Sequence, residues 1–217
     1  HIFALETGLS SDPEMNRLIS ALDRFTLISN SDCHSPAKLG REANVLATEM
    51  SFFAIREALR QPHNDRGEQV FAATVEFYPE EGKYHCDGHR KCDVCLEPSE
   101  TRRLGGRCPK CGKPLTIGVL HRVMELADRN EPSYPPGSPA VHSLIPLQEI
   151  VAELFDCGPA TKKAVEGYGR LINLFGSEFG LLMDTPLDDI QAKAGTLLAE
   201  AVERVRANRV IRKPGYD

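Results

Sequence analysis

The residues best suited to chemistry lie between Tyr84 and Leu115, in YHCDGHRKCDVCLEPSETRRLGGRCPKCGKPL, which holds five of the seven cysteines and two of the seven histidines. Its centre is Cys92-x-x-Cys95, then twelve residues, then Cys108-Pro-Lys-Cys111-Gly112. A Cys-x-x-Cys pair presents two sulfurs on one tight turn, and two such pairs close the tetrahedral site that zinc prefers. Gly112 suits the turn away from the metal, where φ is positive. The first ligand set to consider is Cys92, Cys95, Cys108 and Cys111. His89 also stands at ligand spacing from Cys92, so His89 in place of Cys95 is the second set, with His85 and Cys86 nearby. With every position taken by protein, the zinc would be structural. Arg102, Arg103 and Arg107 make the intervening segment too polar to fold unaided, so metal binding would supply much of its folding free energy. The competing reading is a redox disulfide or scattered thiols. Paired spacing in a chain of cytoplasmic character favours metal.

A second pattern is Asp32-x-His34. The apolar run Phe25–Ser29 (FTLIS) reads as a buried strand, and it stops abruptly in Asn30-Ser31-Asp32-Cys33-His34-Ser35-Pro36. Two residues apart in extended chain, an aspartate and a histidine share a face and could ligate one metal. Such a pair at the C-terminal end of a strand stands where α/β barrels build active sites. Taken alone the motif is weak, and a turn capped by Asp32 with His34 on the surface explains it as well.

These residues need elements to hold them. Ile2–Glu6 has strand character, Ser10-Ser11-Asp12-Pro13 opens a helix over Met15–Leu22, and Phe25–Ser29 is the next strand. Val45–Thr48 reads as a short strand. Ser51–Arg60 is a capped amphipathic helix with Phe52, Ile55, Ala58 and Leu59 on one face. Val70–Tyr78 is a strand leading into the cysteine module. This alternation is that of a parallel α/β domain. After the module, Ile117–Asp128 is helical, with His121 read as packing, and Pro132–Pro139 is a linker. From Ser143 the pattern is all helical: Leu147–Phe155, Ala160–Leu174 and Leu187–Asn208. Three regions result, 1–80, 81–130 and 140–217.

Composition sets bounds. At 217 residues, 41% hydrophobic and 26% charged, the chain is an ordinary globular sequence of one or two cores. No apolar run approaches the roughly 20 residues that span a bilayer, so no membrane partner is expected. The net charge of −5 does not announce a nucleic-acid binder. Between Lys83 and Lys113, however, basic residues outnumber acidic ones, and local basicity is what phosphate binding needs. The opening HIFALETGLSSD has no initiator Met and reads as the middle of a longer protein.

Several stretches together resemble endonuclease Q and its bacterial relatives, a branch of the PHP phosphoesterases. They are ALETGLSSDP (Ala4–Pro13), LISNSDCHSPAKLGREAN (Leu27–Asn44), YHCDGHRKC with CPKCGKPLTIGVLHRVMELADR (to Arg129), and SLIPLQEI (Ser143–Ile150). The resemblance covers nearly the whole chain. It implies the C-terminal part of a PHP α/β barrel, then a small zinc-ribbon-like module, then an all-α C-terminal domain. It implies a hydrolase of DNA repair, cytoplasmic, that nicks DNA 5′ to hypoxanthine, uracil or xanthine, or to an abasic site. Asp32 and His34 match the family's metal-binding Asp-x-His, holding Mg, Mn or Zn, with Asp32 as ligand or metal-linked base. The remaining ligand motifs would lie upstream, so residues 1–217 alone should be inactive. His1 matches no ligand motif. Cys33 stands where relatives more often carry Ala, which removes no ligand. Lys38, Arg41, Arg102, Arg103 and Arg107 would contact DNA, and a repair helicase or clamp would be a partner. The alternative function is a non-catalytic zinc-ribbon adaptor that binds DNA beside a repair helicase. A phosphatase of small phosphoesters fits less well, because a small substrate has no need of the two extra regions.

Overall fold

β1 (Ala4–Glu6) and β2 (Thr26–Ile28) run parallel, with Ala4 opposite Thr26 and Glu6 opposite Ile28. In the computed structural model, which describes residues 2–217 and so leaves His1 outside the described residues, contacts divide the chain into two units. The first runs to His142 and takes back Arg212–Asp217; the second is Ser143–Ile211.

Between β1 and β2 the Asp12 side chain caps α1 (Pro13–Asn16) by accepting the Met15 amide at 2.8 Å, with Pro13 at the first helical position. The helix expected to reach Leu22 stops at Asn16 instead. Arg17 is the reason. Its guanidinium is buried and donates to the Leu22 carbonyl at 2.9 Å and the Phe25 carbonyl at 3.1 Å, which folds the chain back into β2.

β3 (Ala43–Leu46) pairs antiparallel with β4 (Phe71–Phe77), and α2 (Phe52–Arg60) lies between them in sequence. Ser51 caps α2 through the Ala54 amide. Ala58 is buried, but Phe52 is 72% and Phe53 78% exposed, contrary to the expectation for Phe52. The two rings cover part of one another edge to face, at 5.3 Å between centroids. β4 is buried along nearly its whole length: Phe71, Ala73 and Val75 on one face, Thr74 and Glu76 on the other.

The cysteine module follows as a hairpin of β5 (Asp87–His89) and β6 (Val94–Leu96), then α3 (Pro98–Arg103) and α4 (Val119–Leu126). Asp87, fully buried, accepts the Gly118 amide at 2.7 Å and meets His121 Nδ1 at 2.5 Å, which locks β5 to the start of α4. The returning C-terminus fastens the same module. Gly215 accepts the Cys86 amide at 2.9 Å, and Arg212 pairs with Glu80 at 2.7 Å. β7 (Ala140–Leu144) comes after the Pro-rich segment, as the third strand in the order β3-β4-β7.

The second unit is α5 (Leu147–Leu154), α6 (Lys162–Phe175), a π-turn at Gly180–Asp184, α7 (Leu187–Ala194) and α8 (Thr196–Arg206). Leu147, Ala164, Leu181, Leu182, Ile190 and Val202 are its most buried side chains. The single helix expected over Leu187–Asn208 breaks at Gly195, whose φ is +96°. Arg206 then reaches back to the carbonyls of Leu181, Leu182 and Thr185 and satisfies the end of the π-turn. α6 lies so close to α5 that a Cβ on Gly167 would come within 2.7 Å of both Val151 Cγ1 and Phe155 Cε2. Alanine for glycine favours a helix by about 1 kcal/mol, whereas overpacking costs about 1–3 kcal/mol. Gly167→Ala should therefore lower stability, by about 1–2 kcal/mol in a urea titration followed by circular dichroism.

Candidate functional site

Four potential ligands meet in the cysteine module. The ligand atoms of His89, Cys92, Cys108 and Cys111 all lie within 4.8 Å of one another and could hold a metal ion. His89 ends β5. Cys92 closes the short turn Arg90–Cys92, after which Asp93 takes a left-handed φ of +50° and β6 begins. Cys108 and Cys111 lie on the opposing loop, where Gly112 turns the chain at φ +73° and its amide bonds the Cys108 carbonyl. His89 Nδ1 is 3.5 Å from Cys111 Sγ.

Cys95 is outside this cluster, and His89 stands in the place expected for it. The reason is strand alternation. Val94 opposes His89 and buries itself with Cys108 and Leu115, while Cys95 opposes Gly88 and so points to the other face. There its sulfur meets Cys86 and lies 4.0 Å from the Pro214 carbonyl. Only Cys108-x-x-Cys111 forms one compact loop; Cys92-x-x-Cys95 is split by the start of a strand.

The cluster is electrically uneven. Burial pushes the Cys108 thiol up, but the amides of Lys110 and Cys111, with Cys111 and His89, outweigh it and bring it down to about 6. The neighbouring Cys111 side chain, followed by burial, pushes Cys92 up to about 11. Without a cation, a thiolate is favoured at Cys108 while Cys92 holds its proton. A divalent ion would release that proton, because the ion's ligands are thiolates and neutral imidazole.

The second candidate is the turn after β2. Asp32 and His34 lie exposed beyond the C-terminal ends of two parallel strands. Asp32 has φ +43°, a conformation aspartate tolerates better than most residues. His34 Nδ1 is 2.9 Å from the Asp32 carbonyl. A carbonyl only accepts, so Nδ1 carries the hydrogen, and in the neutral ring Nε2 keeps the lone pair that a metal would use. Arg41 Nε donates to the Ser31 carbonyl at 2.9 Å, and its guanidinium stands 5.8 Å above the Phe77 ring. Arg41 thus holds the turn, an arrangement its sequence position did not reveal. Lys38 ends a short turn, Pro36–Lys38, beside it. Arg102, Arg103 and Arg107 are exposed on and after α3, with Arg107 donating to the Gly112 carbonyl at 3.0 Å.

No helix among the described residues is long and apolar enough to cross a membrane. Residues 146–209 match a family model described as the MJ0043 C-terminal domain. The uncharacterized protein MJ0043 of Methanocaldococcus jannaschii is 31% identical over 97% of this chain and 27% of its own length. The uncharacterized protein YqxK of Bacillus subtilis is 30% identical over 99% of this chain and 50% of its own. The chain therefore spans half or less of these curated relatives. Two solved structures are 32% identical and cover 99% of this chain and 53% of theirs. One, with a TM-score of 0.86, is the lesion-specific endonuclease PfuEndoQ from Pyrococcus furiosus. The other, at 0.84, is endonuclease Q in complex with a 27-mer duplex that carries an abasic lesion at the active site. Identity and fold, matched over nearly all of its length, place the chain in the endonuclease Q family, across the half of those structures that it spans.

Proposed function

We propose that the protein carrying this chain is a metal-dependent DNA endonuclease that nicks 5′ to deaminated bases (hypoxanthine, uracil, xanthine) or to abasic sites. The observation that carries this reading is the match to endonuclease Q over 99% of the chain, including the structure bound to a lesion duplex. Residues 1–80 then belong to a PHP-type barrel, with Asp32 and His34 among the ligands of its metal centre. Divalent metal at such a centre lowers the pKa of bound water and offsets charge on the phosphoryl oxygens. The chain's own contribution is to present Asp32 and His34 Nε2 together, on a turn braced by Arg41. Lys38 is placed to meet a phosphate beside that turn, and Arg102, Arg103 and Arg107 offer exposed positive charge farther along the chain. A lesion base pairs poorly, so it costs less than a normal base to draw out of the helix.

We further infer that His89, Cys92, Cys108 and Cys111 hold a structural zinc. Elemental analysis of the purified protein should find about one zinc per chain bound by this set, kept in Cys95→Ser and lost in Cys111→Ser. Equal loss in both variants would return Cys95 to the ligand set.

For the activity, the full-length protein is incubated with duplex DNA carrying one hypoxanthine or uracil and Mn²⁺ or Mg²⁺, and the strands are resolved on a denaturing gel. One nick on the 5′ side of the lesion is expected, and Asp32→Asn should lower its rate by about a hundred-fold or more. Binding without cleavage would count against the reading.

A further inference from the structure

The chain leading to the turn at Asp32 rests on one polar face of the antiparallel β3–β4 pair. Ala43 pairs with Val75 and Asn44 with Thr74, so one residue beyond, Glu42 comes opposite Glu76. Glu42, Asn44, Thr74 and Glu76 share a face, and that face meets Thr7 and Ser29, which follow β1 and β2. Asn44 accepts the Ser29 amide at 3.0 Å and donates to the Ser29 carbonyl at 2.7 Å. Ser29 is clamped at both backbone groups, three residues before Asp32.

The hydrogens around Glu76 can be counted. Its Oε2 lies 3.3 Å from Thr7 Oγ1 and 3.1 Å from Ser29 Oγ. Thr7 Oγ1 is also 3.3 Å from the Ile28 carbonyl, and Ser29 Oγ 3.0 Å from the Val75 carbonyl. The Thr74 hydroxyl also faces Glu76, so three hydroxyls turn toward this one carboxyl. Hydroxyls that donate to Glu76 favour its charged form, so Glu76 is the accepting member of the pair and the proton falls to Glu42. Glu42 and Glu76 are 3% and 0% exposed, and the Phe77 amide faces the Glu42 carboxyl. Two carboxylates opposite each other in such a place cannot both ionise without strong repulsion.

We propose that Glu42, Asn44 and Glu76 are positioning residues for the Asp32–His34 turn, and that a proton held by the Glu42–Glu76 pair keeps Ser29, and through it the turn, in place. The function of the device rests on the reading of Asp32 and His34 given above. Loss of that proton from Glu42 sets two buried charges against each other across the strand pair and loosens the Asn44 clamp beside them. Burial first, then the adjacent Glu76, push Glu42 up to about 8; the Phe77 amide and Arg41 oppose this and Glu6 adds to it. Burial likewise raises Glu76; the Thr74, Ser29 and Thr7 hydroxyls oppose the shift and the charge of Asp12 adds to it. The arrangement is therefore complete below about pH 8 and lost as pH rises through it.

The test is amide hydrogen exchange of Ser29–Ser35 in the full-length protein, corrected for the intrinsic pH dependence, beside the nicking assay. Protection should fall about ten-fold between about pH 7 and about pH 9.5. Glu42→Gln, a neutral isostere, should move that fall, and the matching fall in nicking, up by more than about one pH unit. Asn44→Ala should remove protection at both ends of the range and lower kcat about ten-fold, with KM for DNA nearly unchanged. Coincident exchange profiles for the wild type and Glu42→Gln overturn the proposal, whatever Asp32→Asn does. The expected exchange profiles beside an active Asp32→Asn protein support the clamp and remove the catalytic reading instead.

Discussion

The cysteine module has too little apolar matter to hold itself together. Its core cluster is Val94, Cys108 and Leu115, with Cys92 and Leu96 against it. Burying a few side chains of this size cannot offset the ordering of roughly thirty residues of backbone. Cross-links must supply the difference, and the structure places them at three points. A metal held by His89, Cys92, Cys108 and Cys111, as proposed, would fasten the hairpin to the opposing loop. Asp87 fastens β5 to α4 through Gly118 and His121. The returning C-terminus fastens it through Cys86 and through the Tyr216 hydroxyl on Asp93. Gly88 belongs to the same lock, since a Cβ there would stand 2.6 Å from Tyr216 Cβ. A module of this kind is rigid only while its polar contacts are intact.

That dependence explains which parts could be read from the sequence. Spacing of cysteines identified the module and three of the four clustered side chains. For the fourth it put Cys95 ahead of His89, the residue that the structure clusters, because Cys-x-x-Cys is read as a turn, whereas the residues after Cys92 enter a strand and alternation carries Cys95 away. The alternation of strands and helices up to β4 was legible, because apolar periodicity reports which face is buried. Arg17 was not, because its partners, the Leu22 and Phe25 carbonyls, are backbone groups that no residue type announces. Asp87 and His121, 34 positions apart, become a pair only once β5 meets α4. The break at Gly195 had a signal, a glycine inside a helical pattern, that the surrounding helix formers obscured.

Glu42 and Glu76 illustrate the same limit more sharply. Each looks in sequence like a solvated acid at the end of a strand. Only the register, with Ala43 against Val75, sets them opposite each other. Burial then changes their chemistry, since a lone exposed glutamate is a charge and a buried pair is a proton store.

An apolar pair would occupy the same space at a lower cost of desolvation, so the acids call for a reason beyond packing. The reason lies in Thr7 and Ser29. Both leave the ends of parallel strands, where the ladder has ended and side-chain hydroxyls must find partners of their own. A carboxyl on β4 can serve both hydroxyls at once, which a leucine cannot. It thereby fixes where the chain leaves β1 relative to where it leaves β2. Asn44 completes the fit by replacing, on both sides of Ser29, the backbone bonds that a further strand would make. Hydrogen bonds have direction where apolar contacts do not, so this face specifies a position as well as a surface. The metal-ligand role proposed for Asp32 and His34 would have need of that precision.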